Sequence, residues 1–188
     1  MIKTKLACVA LAVMATSSAA QARSFAVARV IAGSHAAPAL DDPTIVAIFD
    51  AANTWDIETS ETAVKKSHNK DVREFAKMMV RDHKAVRQLG RDLAHKLHVT
   101  PTPPGTDFAL YQDHVVAMKE LRASKGKAFD KAYIDHEVSY HQAVIDAVTT
   151  QLLPATKNAD VKALETKVAP NFQAHLAAAK DVQAKLAR

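Results

Sequence analysis

Cysteine is nearly missing from this chain. Its one example, Cys8, lies in the apolar N-terminal stretch, so a chain cut beyond it has neither a disulfide nor a thiolate metal site. Glycine and proline are scarce, four and seven in 188 residues, and they cluster at boundaries. Aromatics are few, with six Phe, three Tyr and one Trp, and they form no platform on which bases could stack. Neither sign of charge forms a run. Lys and Arg alternate with Asp and Glu, and the formal net charge is +5, which is the pattern of solvated helix faces rather than of a nucleic-acid stripe. No nucleic-acid partner is expected. Past the N-terminus no apolar stretch is long enough to cross a bilayer, and nothing calls for a nucleotide or a haem.

What is there begins with MIKTKLACVALAVMATSSAAQA. Lys3 and Lys5 precede an apolar run from Leu6 to Ala15, and Ala20-Gln21-Ala22 fits an A-x-A cleavage site. This is the layout of a secretory signal peptide, residues 1–22, cut after Ala22, and it predicts a periplasmic or secreted protein. Cys8 is a poor lipid acceptor, because almost no apolar segment precedes it. Residues 23–41 are small and polar and read as a flexible arm. Residues 42–188 are long enough for one domain with a real core.

Within that domain the apolar residues recur at helical spacing. Asp42-Pro43 offers a cap and a first-turn proline for a helix over 43–66, with Ile45, Ile48, Phe49, Ala52, Trp55, Thr59 and Ala63 as its stripe. Asn69 caps a second helix over 70–97, whose seam of Val72, Ala76, Met79, His83, Val86, Gly90, Leu93 and Leu97 steps by four and three. TPTPPG at 100–105 ends it. A shorter helix over 107–123 turns Phe108, Tyr111, Val115, Met118 and Leu121 inward. Helices over 127–153 and 160–186 follow, the first stopped by Pro154, the second capped by Asp160 and kinked at Pro170. No strand-like alternation of useful length occurs. Four long helices, with a long helical crossover between the second and third, predict an all-α, ferritin-like antiparallel four-helix bundle.

The informative residues are polar ones on apolar stripes. On the helix that contains FDKAYIDHEVSYH, with Phe129 set at zero and ~100° per residue, Glu137 falls near ~80° and His141 near ~120°, inside the apolar arc. The same test selects His83 on the second helix, His175 on the last and Asp56 on the first. Glu58 points away, and His68, His95, His98 and His114 read as solvated. Asp130 reads as a cap or first-turn acid. Counted from the helix ends, the five selected residues lie at nearly matching depth. Burying one such group without a partner costs several kcal/mol, so five together predict a shared cation. Imidazoles with carboxylates suit a divalent transition metal: Zn, Fe, Mn or Cu. The expected ligands are His83, Glu137, His141, His175 and Asp56. A hydrogen-bonded polar network remains the bland alternative. Met79, four residues before His83, is read as core packing rather than as a copper ligand.

Three ordered stretches, DVREFAKMMVRDH (71–83), FDKAYIDHEVSYH (129–141) and PNFQAHL (170–176), resemble the domain-of-unknown-function 4142 family (DUF4142) of exported bacterial proteins. The resemblance covers about 44–186. It implies a ferritin-like fold and places Asp82, His83, Asp130, Tyr133, His141 and His175 at family motif positions. It implies no reaction. Asp56 stands where the family usually has Glu, and Glu137 where Met is common. Ferritin-like di-iron enzymes use a Glu-x-x-His on each of two helices, and neither the second nor the last long helix has one; Asp92-Leu-Ala-His95 has similar spacing but faces solvent.

Three functions fit these residues. One is an exported bundle that binds metal in its core, with a role in envelope stress tolerance and at most peripheral envelope association. Another is a metal-dependent oxidoreductase using the same centre. The third is a metal-free interaction module whose polar layer fixes helix register.

Overall fold

A computed structural model describes residues 40–101 and 109–188. The expected signal peptide, almost all of the expected arm and most of TPTPPG lie outside the described residues. The described chain is all-helical. It comprises α1 (Asp42–Lys66), α2 (Lys70–Lys96), α3 (Ala109–Ala123), α4 (Gly126–Ala147) and α5 (Ala159–Leu186). Helix α4 runs on through a π-helical turn, Val148–Leu152, and one last α-turn, Leu153–Ala155.

Local chemistry sets these limits, with some shifts from expectation. Asp41, not Asp42, caps α1 by accepting the Thr44 N–H at 2.9 Å. Asp42 instead accepts the backbone N–H groups of Lys157 and Asn158, at 2.9 and 3.0 Å, and ties the start of α1 to the turn before α5. Asn69 caps α2 as expected. Asn158 rather than Asp160 caps α5. Pro154 lies inside the last turn after α4 instead of stopping it. Helix α5 continues through Pro170. The proline removes the N–H that would meet the Thr166 carbonyl, and both residues are exposed, so water can satisfy that oxygen.

Helices α1 and α2 pack as one pair and α4 and α5 as another; α2 meets α5, and α3 lies across α1 and α4. One apolar cluster, including Ala63, Val72, Phe75, Met79, Phe129, Tyr133 and Val182, fills the end near the α1–α2 turn. A second, with Ile45, Ile48, Ala94, Val148, Leu152 and Val161, fills the opposite end. Asp56, His83, Glu137, His141 and His175 fall between these ends in sequence on every helix that carries them. Met79 packs fully inside the first cluster.

Two seams differ from expectation. On α3, His114, Ala117, Met118 and Leu121 are buried while Val115 is 43% exposed. His114 stacks on Trp55 of α1, with ring centroids 5.8 Å apart, and meets Glu58 at 2.9 Å, so His114 is not solvated as expected. Asp130 is buried and caps nothing. It accepts a hydrogen bond from Ser67, the residue that closes α1, whose hydroxyl oxygen also accepts the Asn69 N–H at 3.1 Å. The start of α4 is thereby fastened to the α1–α2 corner. Lys66 joins the end of α3 to that corner, donating to the carbonyls of Leu121, Arg122 and Ser124, groups that a helix terminus leaves unsatisfied.

Close packing of α1 on α2 depends on Gly90. A Cβ there would lie 2.8 Å from Cδ1 of Phe49. Gly90→Leu is therefore expected to cost about 1–3 kcal/mol through overpacking, read as a lower urea midpoint with unchanged slope. An unchanged midpoint would show that the ring moves aside freely.

Candidate metal centre

Helix α1 supplies Asp56, α2 His83, α4 both Glu137 and His141, and α5 His175. All five are buried, with side-chain exposure of 5% or less. The imidazoles form a nearly equilateral triangle, with ring centroids 5.5 Å (His83–His141), 5.1 Å (His83–His175) and 5.4 Å (His141–His175) apart. Asp56 Oδ2 lies 3.4 Å from His83 Nε2 and 3.8 Å from His141 Nε2. Glu137 Oε2 lies 3.5 Å from His141 Nδ1. One donor atom from each of His83, His141 and His175 lies within 4.8 Å of the others, and the same holds for Asp56, Glu137 and His141.

Each imidazole has one nitrogen tied down and one left over. His83 Nδ1 faces Asn53 Oδ1 at 2.9 Å, His141 Nδ1 faces the Glu137 carbonyl at 3.0 Å, and His175 Nε2 faces Asp82 Oδ2 at 3.2 Å. All three partners are acceptors, so those nitrogens carry the hydrogen. His83 Nε2, His141 Nε2 and His175 Nδ1 are then bare lone pairs, and none has a hydrogen-bond partner. Asp56 Oδ2 and Glu137 Oε2 also lack one. The five sequence-selected residues thus each present one unsatisfied buried atom to the same layer. A carboxylate, carbonyl or amide oxygen behind each imidazole is the arrangement that fixes tautomer and ring angle in metal sites.

Electrostatics follow from burial. Desolvation raises the Asp56 carboxyl, against the pull of His141, His175 and Ser60. Desolvation, then the neighbouring Asp56, raises Glu137 well above the usual range, against hydrogen bonds from Thr59 and Tyr133. Burial lowers His83 to about 3 and His141 to about 4. Without a cation His83 and His141 are therefore neutral imidazoles beside carboxyls that resist ionising. The Thr59 hydroxyl donates to the Asp56 carbonyl at 2.9 Å and, more weakly, to Glu137 Oε1 at 3.3 Å.

Supporting residues surround the layer. Ser60 bridges Tyr133 at 2.9 Å and Asp56 Oδ1 at 3.3 Å. Phe172 lies nearly parallel to His83, with centroids 6.1 Å apart. Tyr140 packs edge-on against His141 and donates to the Ala52 carbonyl at 2.9 Å. Asn53, Ser60 and Asp82 are the functional neighbours that stripe reasoning missed. Asp82 carried one signal, its place beside His83 in the DH pair.

The donor set suits a metal ion. A tetrahedron with bonds of about 2.1 Å has edges of about 3.4 Å, and the Asp56–His83 and Asp56–His141 separations of 3.4 and 3.8 Å lie near that length.

These features define an all-helical protein with a buried histidine–carboxylate cluster that could hold a metal ion. The chain belongs to the DUF4142 family: the family described as "Domain of unknown function (DUF4142)" matches residues 28–182. Among solved structures it is similar to "CopM in the Cu(II)-bound form", with a TM-score of 0.60 and 14% identity over 77% of this chain and 98% of that chain. A likeness at that identity speaks for the fold alone. No curated protein matches.

Proposed function

We propose that this chain is an exported, ferritin-like four-helix bundle, cleaved after Ala22, whose core binds one divalent transition metal. His83, His141 and His175 supply nitrogen, and Asp56 and Glu137 supply oxygen. The pairing of α1 with α2 and α4 with α5, with α3 lying between them in the chain, supports the bundle. The observation that carries the metal reading is the set of five unsatisfied, buried donor atoms. A register-fixing polar layer would pair its members with one another; here Asp56 instead stands at ligand-edge distance from His83 Nε2 and His141 Nε2. Charge agrees, since a dication between two carboxylates and three neutral imidazoles leaves the core neutral. Zn, Fe, Mn and Cu all accept these donors. The CopM likeness makes Cu(II) the first to try. A role in envelope metal or stress tolerance follows from an exported binder.

Elemental analysis of the purified mature protein after dialysis tests the reading. About one metal ion per chain supports it; a sub-stoichiometric content after loading and dialysis returns the chain to the metal-free interaction module.

The pH dependence of stability provides a second test. The unfolded chain protonates His83 and His141 near 6.5, and the folded chain only near 3 and 4. Their contribution is full above pH 6.5 and lost as pH falls. The raised carboxyls of Asp56 and Glu137 act oppositely. Their contribution is full in acid and lost as pH rises through their folded values. The slopes oppose one another, so the metal-free protein should change little between about pH 4 and 6.5. A bound dication holds all five groups deprotonated and makes stability fall steeply with acid over the same interval. Urea midpoints with and without metal at several pH values check this; parallel curves would contradict it.

A further inference from the structure

The five donor atoms are sealed from water, so a cation must reach them through a neighbour. Their hydrogen-bonding and ring partners Asn53, Thr59, Ser60, Tyr133, Tyr140 and Phe172 are buried as well. Asp82 differs, with a side chain 26% exposed. Its Oδ2 lies 3.2 Å from His175 Nε2, and its Oδ1 is held at 2.7 Å by Arg81 Nε, on a side chain 72% exposed.

Resting on the metal-binding reading above, we propose that Asp82 and His175 form an outer station through which the divalent cation passes to the core. Two features carry it. Asp82 is the partly exposed carboxylate in contact with the layer, and its oxygens can hold a cation at the mouth once Arg81 is displaced. The His175 imidazole that Asp82 holds presents its other nitrogen, Nδ1, to the core layer, unsatisfied and buried. With its Nε2–H on Asp82, His175 offers a cation only the Nδ1 lone pair, and rotation of the ring lets that nitrogen take the cation from the Asp82 carboxylate and carry it to the core. Arg81 holds the outer carboxylate while the station is idle. That ion pair is largely exposed, so a cation displaces it at little cost.

A station on the path lowers the barrier in both directions, whereas a residue that merely orients His175 stabilises the bound state. The two roles separate kinetically. Co(II) is the probe, since its visible absorption reports coordination. Uptake is followed by stopped flow, and release by challenge with a chelator. Asp82→Asn should slow uptake about tenfold; because the carboxylate also holds the His175 ring, affinity falls as well, and the slowed uptake is the readout that an orienting role alone would not move. Arg81→Gln, on an exposed side chain, should speed uptake several-fold at low salt, with the gain fading as salt rises. Unchanged Asp82→Asn kinetics, or faster release alone with weaker affinity, would overturn the station while leaving the core site standing. A wild type that takes up no Co(II) would overturn both.

Discussion

His83→Ala combined with His175→Ala is expected to lower affinity for a divalent transition metal by at least about a thousandfold, since losing an outer partner alone commonly costs 10–100-fold. These two residues supply two of three imidazole nitrogens, from α2 and α5, and their ring centroids are 5.1 Å apart. Without them Asp56, Glu137 and His141 remain. The two carboxyls resist ionising in that setting, so the residual site should bind weakly. The fold should tolerate the change well enough to be measured, because one nitrogen on each lost ring is buried and unsatisfied in the metal-free state. Asn53 and Asp82 do lose their partners, and some stability with them. Far-UV circular dichroism before titration controls for this. His68→Ala with His95→Ala, both on exposed side chains, should bind like the wild type. Equal affinity in the two double variants would place any bound metal elsewhere.

Saturating metal is expected to stabilise the wild type strongly. Free metal at a thousand times Kd adds about 4 kcal/mol, which for a chain of this length is a rise in Tm of about 8–16 °C. With metal bound, five donors from four helices would act as a cross-link between both helix pairs, and the unfolded chain would offer no preformed site to compete. Glu137→Leu should separate two effects of that residue. Removing a buried carboxyl that desolvation holds neutral relieves an unsatisfied atom, so the metal-free variant should be as stable as the wild type or more so. Its gain from metal should shrink, because one oxygen donor and one negative charge are gone. Thermal unfolding of both proteins with and without metal gives all four values. A wild type that gains nothing, or a variant that gains as much, would contradict the assignment.

Much of this was legible in the sequence, for physical reasons. Helix α2 faces its neighbours with one seam, so steps of three and four select its buried residues, and His83 stands out among them. Glu137, His141 and His175 are conspicuous for the same reason, since large polar groups on an apolar arc are costly. Helix α1 was harder to read. It touches α2, α3 and α4, so it buries more than one face, and the buried Asn53 and Ser60 lie off its apolar stripe. On helix α3 Met118 and Leu121 are buried as expected, and Val115 is not. Val115 looks like a core residue by type, but the Trp55 ring and the Glu58 carboxylate draw His114 inward instead. Asp82 escaped the stripe test because partial exposure makes an acid look ordinary; the family resemblance marked its position, and its contact with His175 gives it a role. The capping residues were off by one or two at α1 and α5, where several Asp and Asn residues compete for the same orphan N–H groups.

The central claim is that one cation sits among donors from four helices. Anomalous scattering from a metal-loaded crystal, collected at the edge of that metal, tests it most directly. The account predicts a single strong peak within bonding distance of His83 Nε2, His141 Nε2, His175 Nδ1 and an Asp56 oxygen. A core without a peak, with scattering only at surface histidines such as His68, His95 or His98, would contradict it.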